Sequence, residues 1–383
     1  MANTLPLSFL RHLLQCVASP DRLVGSEERT IFFSIAAAIF NLGWAASQNS
    51  HQALVPELTP HETERVVLNS VRYAAFVASN ILVLASMFVL LEANAYGASP
   101  QTEKSPLTYK TLTGIVLGVG AVCAMAFLAI VRSPPPLAPS PAPSPLAPAN
   151  ALPPPGRTPL QWLRTADYYK TAACYVTMRL GTNITTLYMA LFLTTTLGME
   201  QGAIASIPFV IFASSLATVS QLKALTARLG VRRTLLLGAS VFALGSATIL
   251  LLPGAKSGVM YGAAAALGCG LAAITVSVAT LQSTLLGSDT RSAGFVFGSM
   301  SALDKLVVGV VVLGVQIASD SPAVNLGDFF RYILGAAPLA AVGACCLLAF
   351  SISAAGEAGA QGKGSAEGSS EVAVPNPLAA VAA

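Results

Sequence analysis

Two adjacent charges, Asp304 and Lys305, stand in the stretch GSMSALDKLVVGVVVLG, residues 298–314, where every other residue is apolar or small. A charge at the middle of a bilayer costs about 3 kcal/mol on insertion scales. Such a pair is therefore kept where it meets a partner or borders water. Neighbouring helical positions point about 100° apart and do not face each other. Lys305 shares a stripe with Gly298, Ala302 and Gly309, and Asp304 with Phe297, Ser301 and Val308, so each is expected to look to a different neighbour. Three readings stand for Lys305: lining an aqueous cavity, joining a structural ion pair between helices, or snorkelling to the membrane surface.

Arg179 is the natural partner for Asp304. It lies in TMRLGTNITT, with Asn183 four residues on and on the same face. Two unlike charges in low dielectric offset much of each other's desolvation. Asn183 also heads an Asn-Ile-Thr sequon, but its place inside an apolar run argues against glycosylation.

A second polar set lies earlier in the chain. Asn41, Trp44 and Gln48 fall on one helical face at i, i+3 and i+7. They could meet a polar ligand, with Trp44 supplying stacking area, or could hydrogen-bond to a neighbouring helix. Arg72 opens the next apolar run and Asn80 lies two turns deeper on its face. Arg72 either contacts a ligand or marks the membrane boundary. Between these runs, Glu57, Glu62, Glu64 and Arg65 form a charged loop flanked by His51 and His61, read as solvated or as part of a gate. The histidines could sense protons or simply be solvated.

These residues need a membrane to position them. The chain has 383 residues, 54% hydrophobic and 10% charged, whereas soluble domains are about a quarter charged. Its +4 net charge is small and the basic residues are scattered, which argues against nucleic acid as a partner. Cysteines stand at 16, 123, 174, 269, 345 and 346 with no CxxC pair and no metal-ligand spacing. Four of them fall in apolar runs and read as buried free thiols, and disulfides are not expected. No HExxH, GxSxG or phosphate-cradling loop is present, so neither an enzyme nor a cofactor or metal site is expected.

A bilayer-crossing helix needs about 20 mostly apolar residues. Nine stretches qualify, near 30–52, 68–91, 110–131, 167–196, 202–223, 233–253, 258–284, 292–318 and 330–354. GAAAALGCGLAA, 262–273, presents a small face through Gly262, Ala266 and Gly270 for close helix contact. Residues 1–29 read as an N-terminal segment, possible as an interfacial helix. The expected divisions are 30–132 with three spans, a Pro-rich linker at 133–165, a six-helix half at 166–355, and a disordered tail at 356–383.

Alternating the spans puts Arg65, Arg132, Arg157, Arg164, Lys223, Arg228, Arg232, Arg233 and Arg291 on one side. Lys104, Lys110, Lys256 and Arg331 fall on the other. The excess predicts that the linker and C-terminus are cytoplasmic.

Three spans, a long linker and six more resemble the major facilitator superfamily, two six-helix halves joined by a cytoplasmic loop, with the first three helices lacking. QLKALTARLGVRRTLLLGA, 221–239, resembles its basic loop between the second and third helices of a half; Arg228, Arg232 and Arg233 match that loop. NLGWAASQNSHQALVPELTPHETERVVLNSVRYAAFVASN, 41–80, resembles the glycoside–pentoside–hexuronide:cation symporter branch. YYKTAACYVTMRLGTNITTLYMALFL, 168–193, and SAGFVFGSMSALDKLVVGVVVLGVQ, 292–316, resemble an animal and protist group within it, linked to cysteine import into lysosomes and melanosomes.

The resemblance implies an all-α membrane transporter fold, partial here. It implies secondary transport of a small polar solute, such as a cysteine-like amino acid or a sugar, coupled to a proton or sodium ion. The setting would be a lysosome-like endomembrane or the plasma membrane. By position Lys305 resembles a lysine at the branch's cation site, and Arg72 an arginine that contacts substrate in sugar-carrying relatives. The acidic cation-site residues of the family's second helix have no counterpart. The alternative expectation is a truncated, non-transporting accessory membrane protein, or an incomplete gene model of a full transporter.

Overall fold

The computed structural model describes residues 26–59, 61–95, 106–130, 157–199, 201–251, 257–287, 289–321 and 324–352. The interior of the proline-rich linker, most of the N-terminal segment, the C-terminal tail and Cys16 lie outside the described residues. Nine long helices run in chain order among the described residues: α1 (Ser26–Leu58), α2 (Glu62–Ala95), α3 (Pro106–Ile130), α4 (Ala166–Leu191), α5 (Gln201–Leu229), α6 (Val231–Leu251), α7 (Ser257–Leu286), α8 (Ala293–Ser319) and α9 (Leu326–Ser351). Eight of them are long and apolar enough to cross a membrane. The exception is α4, which carries Asp167, Lys170, Arg179, Asn183 and several threonines.

The chain falls into two compact units, Met1–Leu54 and Val55–Ala383. In the first, the described residues form a single helix whose Ile31, Phe33, Ile39, Phe40 and Leu42 are exposed, a surface suited to hydrocarbon.

In the second unit α7 is the buried centre, packed against α6, α5, α4 and α2. Its contacts depend on missing side chains. A Cβ on Gly270 would stand 2.6 Å from Phe242 N and 2.7 Å from Gly238 O, while a Cβ on Gly262 would meet nothing within 4 Å. The small face read from the sequence is thus divided: Gly270 is a helix contact and Gly262 is not. Gly270→Ala should cost about 1–3 kcal/mol by overpacking, whereas Gly262→Ala should be neutral. Thermal unfolding in detergent separates the two.

The polar residues of α4 are satisfied locally or by packing. Thr185 donates to Gly181 O at 2.9 Å and Thr177 to Ala173 O at 2.8 Å, the back-bonding that lets a hydroxyl lie in an apolar helix. The rest of α4 packs on α9, α8 and α7, burying Met178, Ile184 and Met189. Asp167 and Lys170 stay partly exposed and pair with each other at 3.3 Å, while Arg179 turns toward α8.

Gly230 ends α5 with φ +80°, a conformation costly for any residue bearing a Cβ. Its N–H donates to Thr226 O at 2.8 Å. The sharp turn into α6 that follows sets Arg228 and Arg233 on the surface, with Arg232 half-buried.

Candidate functional site

The mid-helix charges converge. Asp304 is fully buried on α8, and Arg179 Nε lies 3.3 Å from its Oδ2. Arg179 sits midway along α4, so a cation from one helix and an anion from another meet at similar depth. Lys305 Nζ is 3.7 Å from the same Oδ2, with its side chain 42% exposed. This differs from the expectation that the two adjacent charges look to separate neighbours. The reason is the length of the lysine stem, which lets the ammonium curl back although the Cβ directions diverge.

Arg72 joins them from α2. The apolar run suggested that it opens its helix, but α2 begins at Glu62. Arg72 is therefore about 15 Å into the helix at 1.5 Å per residue. It lies within electrostatic reach of Tyr175 and Arg179, and Tyr175 within reach of Arg179 and Asp304. Two cations thus share one carboxylate, and a third, Arg72, lies near Arg179. Two charged side chains there keep a buried atom without a hydrogen-bond partner, Arg72 Nε and Asp304 Oδ1, as does the Tyr73 hydroxyl. Buried charged groups are ordinarily satisfied, so both atoms are poised for a further partner.

Tyr73 and Tyr175 are buried beside these charges. Neither was singled out from the sequence. Tyr175 could have been, because it is four residues before Arg179 and shares its face. Asn183 is half-buried one turn beyond Arg179. Asn80 is half-buried, and its Nδ2 donates to Phe76 O at 2.8 Å. Asn41, Trp44 and Gln48 belong to the first unit. There Asn41 donates to Ala37 O at 2.8 Å, and the Trp44 ring lies 6.0 Å from that of Phe40.

A second cluster lies where α2 begins and α7 ends. Arg65 is buried, donating from Nη1 to Ser283 O at 2.6 Å, from Nη2 to Gly287 O at 3.2 Å and from Nε to Thr59 O at 2.9 Å. Its guanidinium thereby caps carbonyls at the C-terminus of α7, where the helix dipole favours a cation. Thr59 in turn hydrogen-bonds Glu64, and Asn69 Nδ2 donates to Thr280 Oγ1 at 3.3 Å. Glu57 is exposed. The sequence marked Arg65 but not its partners, because backbone carbonyls 218 residues away leave no side-chain signature.

Beyond Gly287 (φ +58°), Asp289 Oδ2 accepts from Arg157 N at 2.8 Å and from Ser292 Oγ at 2.8 Å. Burial pushes the Asp289 carboxyl up, but hydrogen bonds from Ser292 and the Arg157 amide outweigh this and hold it below 3.8. A depressed folded-state value means its contribution is complete above the unfolded value and fades as pH falls through the lower folded one. Unfolding followed from pH 7 to pH 3 should therefore show the Asp289 contribution intact to about pH 4. Asp289→Asn should lower stability above about pH 4 and flatten the acid limb, so that the two curves converge toward about pH 3.

Five cysteines are free among the described residues. Cys174 and Cys345 are buried, with sulfurs 3.3 Å apart, and Cys123 on α3 is exposed. Burial of the thiols expected from the sequence thus fails at Cys123, because α3 turns most of its surface outward. Among the described residues no group of His, Cys, Asp and Glu could hold a metal ion.

The family described as MFS/sugar transport protein matches residues 18–350. Major facilitator superfamily domain-containing protein 12 of Homo sapiens is 32% identical over 310 residues, covering 76% of this chain and 63% of that protein. The Mus musculus protein of the same name is 30% identical over 344 residues, covering 84% and 71%. The chain thus spans about 63% of the length of its human relative. Among solved structures, FucP, a major facilitator superfamily transporter in an outward conformation, superposes with a TM-score of 0.54 at 14% identity, covering 80% of this chain and 72% of that one.

Proposed function

The chain belongs to the MFS/sugar transport protein family of the major facilitator superfamily, and from that premise we propose that it is a secondary active transporter of a small polar solute. The two helical halves would rock about a site near the bilayer midplane, formed by Arg72, Tyr175, Arg179, Asp304 and Lys305. Arg65 would close the end expected to face the cytoplasm, by holding α2 to the end of α7.

The observation that carries this reading is a surplus of cations: Arg179 and Lys305 share the buried Asp304 carboxylate, and Arg72, near Arg179, keeps its Nε unsatisfied. A neutral sugar would leave that surplus uncompensated. A solute bearing a carboxylate would complete it, and one bearing an ammonium as well would use Asp304 Oδ1. The charge inventory favours a cysteine-like amino acid over a sugar. A proton or sodium ion would couple through Asp304 and Lys305, in a lysosome-like or plasma membrane.

The test is uptake by vesicles containing the purified full chain, under an imposed proton or sodium gradient. Labelled L-cysteine, its methyl ester and D-glucose serve as solutes. L-cysteine should enter, the ester and glucose should be poorer by about tenfold or more, and Arg72→Gln should remove most of that preference. Equal uptake of ester and free acid, or preferred uptake of glucose, contradicts the reading.

A further inference from the structure

The short helix Pro159–Leu163 stands just before α4, at the end of the proline-rich linker. It is built to keep one shape. Thr158 caps it, accepting from Gln161 N, and the Gln161 side chain accepts from Thr158 N at 2.8 Å. Its one buried side chain is Trp162, 1% exposed in a segment whose other residues are on the surface. The Arg157 guanidinium stacks 4.8 Å from the centre of that ring.

Arg157 is also fixed at its backbone, and to a distant part of the chain. Its N–H donates to Asp289 Oδ2 at 2.8 Å, and its carbonyl accepts from Ser292 Oγ at 2.8 Å. Asp289 and Ser292 close the turn between α7 and α8, and Gly287 of that same turn accepts from Arg65. The turn is therefore gripped twice: on one flank by Arg65 at the start of α2, on the other by the last residues of the linker.

We propose that Arg157–Leu163 is a strap that fastens the linker to the α7–α8 turn and holds the turn in place for Arg65. Opening of this end of the bundle then requires the strap to be released or carried along. The proposal goes beyond solute transport and does not depend on what is carried.

Hydrogen exchange of the full chain in nanodiscs tests it. Ser292→Ala removes the hydroxyl that bonds Arg157 and Asp289 while keeping a small side chain. Asp289→Ala removes the shared acceptor. Both should speed exchange about tenfold in 280–287 and in the first turn of α2, 62–66, as well as in 157–163. Asp320→Asn, at the far end of α8, should leave all three at the wild-type rate. Faster exchange confined to 157–163 in both variants, with 62–66 and 280–287 unchanged, overturns the proposal.

Discussion

Asp304→Ala should lower the stability of the detergent-solubilised protein by about 3–5 kcal/mol, the range for removing one partner of a buried ion pair. The carboxylate is fully buried and both Arg179 and Lys305 lie within ion-pair distance of one of its oxygens. Its loss strands Arg179 in a packed interior. Lys305 suffers less because its ammonium is partly exposed. The stability effect is thus dominated by Arg179, and the double variant Arg179→Leu/Asp304→Ala should recover much of the loss. Uptake should behave differently. Neither Asp304→Ala nor the double variant should transport, because both lose the acceptor at the centre of the site. A double variant as unstable as the single one would mean that Asp304 is held by something other than Arg179.

Arg65→Ala carries the second large effect. Three hydrogen bonds from a charged donor disappear, and the α7 carbonyls they capped are left in a buried place. Hydrogen bonds to charged groups contribute about 1.5–3 kcal/mol each at most, and they do not add. A loss of about 3 kcal/mol in thermal or denaturant unfolding is expected. Arg65→Lys should recover only part of it, because an ammonium cannot reach carbonyls of Thr59, Ser283 and Gly287 with the fork of a guanidinium. Exchange at 280–287 should rise more than at α9, since the contact joins α2 to α7 and touches nothing in α9. Equal stability of Arg65→Lys and the native chain would show that charge alone, without the forked geometry, closes this end.

How far the sequence led can be judged residue by residue. The spans were legible because a run of about 20 apolar residues has few alternatives. Their ends were less so. Charged Glu62, Glu64 and Arg65 hid the first turn of α2, so Arg72 read as opening its helix when it lies about 15 Å along it. The Arg179–Asp304 pair was legible because each needed a partner of opposite charge. The approach of Lys305 to the same carboxylate was not, since it depends on how a flexible stem folds back rather than on helical direction. Gly262 and Gly270 looked equivalent by spacing, and the close approach of Phe242 and Gly238 to Gly270 distinguishes them. The contacts of Arg157 with Asp289 and Ser292 span 132 and 135 residues and use backbone groups; nothing in local composition announces them.

The central claim is that the ionic side chains at the middle of α4 and α8 border water and a bound solute, not lipid. Lys305→Cys reports on this directly when labelled in vesicles by a charged, membrane-impermeant thiol reagent, read against the native chain. The account predicts labelling from the aqueous phase that L-serine methyl ester leaves unchanged and the free carboxylate, L-serine, slows. Modification by a lipid-soluble maleimide alone, with no aqueous labelling, would place position 305 against hydrocarbon and contradict it.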